Sequence, residues 1–133
     1  MNSLNIDKKI LAILCRKYGI LLAVLHGSYA AGRERKKSDI DIGILAGQKY
    51  EAQTRMNLLN DFSDLFGDKF DPVFLNGAEP LISFQVAIHG KPLYEERKGL
   101  FQQFQLQAAA RYRDTKKFRQ MEEMYIKKAV DKI

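Results

Sequence analysis

Two stretches decide how this chain folds: Gly27-Ser28-Tyr29-Ala30-Ala31-Gly32-Arg33 and, with ten residues between Ser28 and its start, Asp39-Ile40-Asp41-Ile42-Gly43-Ile44-Leu45. In the second, Ile40, Ile42 and Ile44 alternate with Asp39, Asp41 and Gly43. A period of two places the isoleucines on one face of a strand and the carboxylates on the other. The stretch therefore predicts a strand over 39–45, with one face turned to a core. Just upstream, Ile20-Leu21-Leu22-Ala23-Val24-Leu25 is a continuous apolar run of the length of a buried strand. Just downstream, Lys69 to Leu75 reads as a third strand, with Pro72 marking an edge or an irregularity.

Farther out, the apolar spacing turns helical. A helix is predicted over 6–18, with Ile6, Ile10, Ile13 or Leu14, and Tyr18 inward, and Gly19 as its stop. A second is predicted over about 50–66, with Met56, Leu59, Phe62 or Ser63, and Phe66 inward. A third runs from about Glu79 to His89, with Leu81, Phe84 or Gln85, and Ile88 in phase. Gly90-Lys91-Pro92 is a turn, Leu93-Tyr94 a brief strand, and His89 a turn residue. From about 97 the chain is one long helix or two in line, with Phe101, Phe104, Ala108, Tyr112, Thr115, Phe118, Met121 and Tyr125 at helical spacing. The order predicts an α+β (mixed α/β) fold, a small mixed sheet flanked by helices with a long helix after it. One domain is expected over 1–133, with a core of about 6–96 and a helical segment from about 97 to 133.

Composition narrows the function. A net charge of +6 favours an anionic partner, but the basic residues are dispersed and direct nucleic-acid binding is not expected. The single cysteine excludes an internal disulfide or a cysteine-based zinc site, and Cys15 reads as a small buried side chain. No apolar run approaches the ~18 residues of a membrane span, and the first residues do not read as a signal peptide, so the cytoplasm is expected.

The chemistry sits in the two opening stretches. Asp39 and Asp41 point to the same side of their strand and repel one another unless a cation lies between them. Mg²⁺ meets that need, being held by one or two carboxylates together with substrate phosphates and water. Gly27 allows a tight turn and close backbone approach to a ligand. The Ser28 hydroxyl and nearby backbone N–H groups suit a phosphate. Asp71 supplies a third carboxylate if its strand lies beside the Asp39–Leu45 strand. Three carboxylates can hold two metal ions around an in-line phosphoryl displacement, and Asp71 would also be placed to take a proton from an attacking hydroxyl.

Gly27-Ser28-Tyr29-Ala30-Ala31-Gly32 followed by Ser38-Asp39-Ile40-Asp41 resembles the signature of polymerase β-type nucleotidyltransferases. It is most similar to the minimal nucleotidyltransferase (MNT) group, the antitoxin half of HEPN/MNT toxin–antitoxin pairs. The resemblance continues through Phe70-Asp71-Pro72-Val73-Phe74-Leu75-Asn76 and Gly90-Lys91-Pro92-Leu93-Tyr94-Glu95, so it spans about 20 to 96. It implies ATP and Mg²⁺, with Gly27, Ser28, Ser38 and Arg33 on the nucleotide and Asp39, Asp41 and Asp71 on the metal. It also implies AMP transfer to a tyrosine of a HEPN ribonuclease toxin, which silences that toxin. Two other readings stand beside it: an antitoxin that neutralises by binding alone, and an enzyme acting on a small molecule. The chain departs from the family in carrying Ala31 where Arg is common, and Arg33 or Arg35 is the expected replacement for that charge.

Overall fold

The computed structural model describes residues 4–33 and 38–132. The elements are α1 (Lys8–Tyr18), β1 (Ile20–His26), α2 (Gly27–Ala30), β2 (Ile40–Ala46), α3 (Ala52–Phe66), β3 (Phe70–Phe74), α4 (Pro80–His89), β4 (Lys91–Glu95), α5 (Leu100–Asp114) and α6 (Lys116–Asp131). The strands form one sheet in the order β3-β2-β1-β4. β1 is antiparallel to β2 and β4, whereas β2 and β3 are parallel. This is the expected mixed sheet with helices, and Pro72 lies on an edge strand, where a missing N–H costs least. Among the described residues no helix is long and apolar enough to cross a membrane.

The isoleucine alternation sorts the core as predicted. Ile40, Ile42 and Ile44 join Ile20, Ala23 and Leu25 against Leu11, Cys15 and Tyr18 of α1 and Leu58, Phe62 and Phe66 of α3. On the opposite face Leu22, Val24 and Leu75 pack with Val86 and Ala87 of α4 and Leu100, Phe101, Phe104 and Ala108 of α5. Asp7 caps α1 by accepting from the N–H groups of Lys9 and Ile10, and Gly19 ends it in the left-handed conformation at φ 64°.

The parallel pair β2–β3 is fastened at both ends. Ile40 N–H donates to Lys69 C=O at 2.7 Å. At the far end the Asn76 carboxamide accepts from Ala46 N–H at 2.8 Å and donates to Ala46 C=O at 2.9 Å. A slip of one residue would send every β3 side chain to the other face, so these fastenings decide where Asp71 points.

The helix faces depart from expectation. In α1, Ile10 and Ile13 are exposed and Leu11 and Cys15 take inner positions, while Leu14 and Tyr18, with Ile6 just ahead of the helix, pack on the core as expected. In α3, Met56 is exposed and Leu58 is buried, while Phe62 and Phe66 lie inward as expected. In α4, Leu81 and Ile88 are exposed, and Ser83, Val86 and Ala87 face the sheet. The reason in α4 is steric. A Cβ at Gly90, just past its end, would overlap Val24 Cγ1 and Val86 C=O, so this end of the helix lies tight on β1. The C-terminal stripe is core only as far as Ala108. The helix breaks at Thr115, and Phe118, Met121 and Tyr125 of α6 are exposed. Arg119 stacks on the Tyr112 ring at 3.9 Å, and that ring stacks on Phe84 at 4.1 Å, which fixes the start of α6.

Candidate active site

The register of the sheet sets one polar row. His26 of β1 pairs with Asp41 of β2, and Asp41 pairs with Asp71 of β3. Directly paired residues share a face, so all three side chains emerge on the α4/α5 side, past the last apolar residues. The Asp71 carboxylate lies within hydrogen-bonding reach of Asp41. Asp41 is half-buried, and its pKa is pushed from 3.8 up to about 6 by burial first, then by Asp71 and Asp39. Asp39 stands just ahead of β2, exposed, close enough to act on Asp41 by charge. The sequence reading expected three converging carboxylates. The structure brings Asp41 and Asp71 together and holds Asp39 beside them. Among the described residues no group of three or more His, Cys, Asp or Glu side chains is gathered as a metal cluster.

Gly27 is glycine for two reasons. Its φ is +71°, in the left-handed region, and a Cβ there would overlap Asp41 Oδ2. The stretch opens with α2, whose Ala30 is buried among Ile40 and its neighbours while Tyr29 packs beside them. This leaves Ser28 and Ala31 free to face outward. The chain then turns back, with Arg33 N–H donating to Ser28 C=O at 2.8 Å. Ser38 is half-buried ahead of Asp39, while Arg35, Lys36 and Lys37 lie outside the described residues.

Gly27, Ser28, Ala31 and Arg33 form one side of a cavity of about 340 Å³, completed by His26 and by Gln85 and His89 of α4. Arg33 thus shares a cavity with Ala31, where the family's common Arg is missing. His89, expected in a turn, is instead the last residue of α4 and part of this wall. His26 Nε2 is shielded from solvent and has no hydrogen-bond partner among the described residues. Burial lowers the His26 pKa, against the pull of Asp71. Cys15, buried as expected, has its thiol pushed up to about 12 by burial, which leaves it unreactive.

A row of carboxylates against a glycine turn, next to a cavity rich in hydrogen-bond donors, suits phosphoryl-group chemistry. The comparisons agree. The chain is 31% identical over 94 residues to the protein adenylyltransferase MntA of Shewanella oneidensis, covering 71% of this chain and 68% of that relative. Its fold matches a crystal structure described as a toxin–antitoxin with AMP-PNP, at a TM-score of 0.75 and 24% identity, over 90% of this chain and 98% of the other. It also matches a structure of tri-AMPylated Shewanella oneidensis HEPN toxin in complex with MNT antitoxin, at a TM-score of 0.70 and 24% identity, over 95% and 98%. At that identity the structural matches speak for the fold. The family model described as polymerase beta, nucleotidyltransferase matches residues 8–99, and the chain belongs to that family.

Proposed function

We propose that this chain is an antitoxin that transfers AMP from ATP to a hydroxyl, a tyrosine, of a HEPN-family toxin and thereby neutralises it. The observation that carries the reading is the Asp41–Asp71 pair, set in register on one face with Gly27 against Asp41. The similar protein adenylyltransferase and the two matched toxin–antitoxin structures, with AMP-PNP and with AMPylated toxin, supply the substrate and partner by likeness. The cytoplasm, where ATP is available, is the compartment this reading implies.

In the proposed reaction the acceptor oxygen attacks the α-phosphorus in line with the leaving pyrophosphate. A new P–O bond forms, the bond to the β-phosphate bridging oxygen breaks, and the hydroxyl proton passes to a carboxylate. Asp71, exposed at the edge of the sheet, is the group open to an incoming protein and is assigned the proton. Gly27 and Ser28 line the triphosphate, with Arg33 beside them and Ser38 at the approach to β2.

The residues fit Mg²⁺. Asp41 and Asp71 offer only oxygen donors, and their contact raises the Asp41 pKa in a way that a shared cation would reverse. Asp41 and Asp71 would hold it, with Asp39 adjacent. The ion, when bound, neutralises charge that builds on the phosphates.

The test is a mixture of the chain with its toxin, ATP and Mg²⁺. The toxin's mass should rise by one or more AMP units, with pyrophosphate released. Asp41→Asn should abolish the shift while the two proteins still associate. If that variant still protected cells as well as the parent chain, neutralisation would be by binding alone.

A further inference from the structure

The cavity beside the carboxylate row has a composition of its own. It is lined by His26, Gly27, Ser28, Ala31, Arg33, Gln85 and His89. Among the described residues these bring a guanidinium, a hydroxyl, a carboxamide and two imidazoles, with no acidic side chain and no apolar side chain larger than Ala31. A purine ring would need flat apolar walls to lie against, whereas an anion needs donors. The cavity adjoins the row that carries Asp41 and Asp71, because His26 belongs both to that row and to the cavity wall. The local sign therefore reverses across the width of one strand, from carboxylates to donors.

A second observation points to a ligand. The His26 imidazole lines the cavity, yet its Nε2 is shielded and unpartnered among the described residues. A buried polar nitrogen without a partner is costly and is usually satisfied in the state for which the site was built, here as the Nε2–H tautomer. The Cβ–Cγ torsion of histidine is soft, so a modest turn of the ring would offer Nε2 to the cavity.

Resting on the adenylyl-transfer reading, we propose that α4 supplies the second wall of a polyphosphate pocket, in which Gln85, His89 and His26 Nε2 bind the terminal phosphates of the nucleoside triphosphate opposite Ser28 and Arg33. The residues of α4 are then what lets the site favour a triphosphate over a monophosphate. Gln85 and His89 lie one turn apart on the same side of the helix and reach the cavity together. The steric fit of Gly90 against Val24 sets how close that wall comes. The three residues act on binding of the leaving group, leaving proton transfer to the carboxylates.

The test is calorimetric titration of ATP, AMP and inorganic tripolyphosphate in Mg²⁺, with the parent chain and with Gln85→Ala/His89→Ala. Both side chains are exposed, so the double variant should fold normally. Loss of hydrogen bonds to charged groups should weaken ATP and tripolyphosphate binding about tenfold or more and leave AMP unchanged. In the transfer assay KM for ATP should rise more than kcat falls. His26→Gln, which keeps a donor near the Nε2 position, should bind ATP close to the parent chain, and His26→Leu should not. Equal ATP and tripolyphosphate affinities in the parent chain and the double variant would overturn the pocket assignment alone. A parent chain that binds none of the three would overturn the adenylyl-transfer reading beneath it.

Discussion

On the α1/α3 face of the sheet the cover is continuous: Leu25, Ile40 and Ile42, at the end nearest the site, are all buried. On the α4/α5 face the apolar cover stops at Leu22, Val24 and Leu75, and the last rung, His26–Asp41–Asp71, lies past it, with His26 facing α4 across the cavity. The same two strands thus carry a sealed face and an open one, set only by the parity of the residues. The sealed face supplies stability and holds Asp41 still. The open face gives up some stability, because Asp41 and Asp71 meet there with no neutralising partner among the described residues.

That contrast can be broken at several points. Asp41→Asn, on the open face, should lower AMP transfer by roughly 10³-fold, as loss of several kcal/mol of transition-state stabilisation requires, read by mass spectrometry of the toxin. Phe62→Ala, on the sealed face, should cost ~3–5 kcal/mol of stability in a denaturant melt, since Phe62 is fully buried. Activity per folded molecule should be largely kept. Gly27→Ala should cost about 1–2 kcal/mol from the left-handed backbone alone, and the overlap with Asp41 should also depress ATP binding.

The pH dependence has a definite sign. Because the Asp41 pKa rises from 3.8 to about 6 on folding, the native state binds more protons across that window, and metal-free stability falls as pH rises from about 4 to about 6. Asp41→Asn should flatten that part of the profile and leave the metal-free protein at neutral pH at least as stable as the parent chain. Thermal melts at pH 4 and pH 7 in chelator would show it, and a variant melting lower at pH 7 would make Asp41 a structural residue. The smallest effect is expected from Met56→Ser, which should stay within about 0.5 kcal/mol of the parent because the side chain is exposed.

The strands and the carboxylates were legible because their signal is local. Period-two alternation names the face of Ile40, Ile42 and Ile44, and Asp39 and Asp41 follow from it. The inner face of α4 was not legible, since Leu81, Ile82, Val86 and Ile88 offer apolar residues on every side. There the choice fell to Ser83 and Ala87, whose small size lets the helix lie close to β1. The contribution of α4 to the cavity was hidden for the same reason. Gln85 was one alternative for an inner stripe, and His89 was placed in a turn. The parity of His26 with Leu22 and Val24 was visible, but its place opposite Asp41 depends on strand register. That register is fixed by pairings between distant segments. In α6 the helical spacing was correct, yet Phe118, Met121 and Tyr125 are exposed, because periodicity shows a face without showing what covers it.

The position of β4 has a consequence for the order in which the molecule can assemble. β1 is an inner strand, but one of its two neighbours comes from Lys91–Glu95, some seventy residues later. During synthesis every proposed catalytic residue, from Gly27 to Asp71, leaves the ribosome before that neighbour does. Until residue 95 has emerged, β1 therefore presents a bare apolar edge, Leu22 to Leu25, to any other strand in reach. Pairings so distant in sequence also close late. The nascent chain is thus most prone to self-association in the interval when its carboxylates are already made and its sheet is still one strand short.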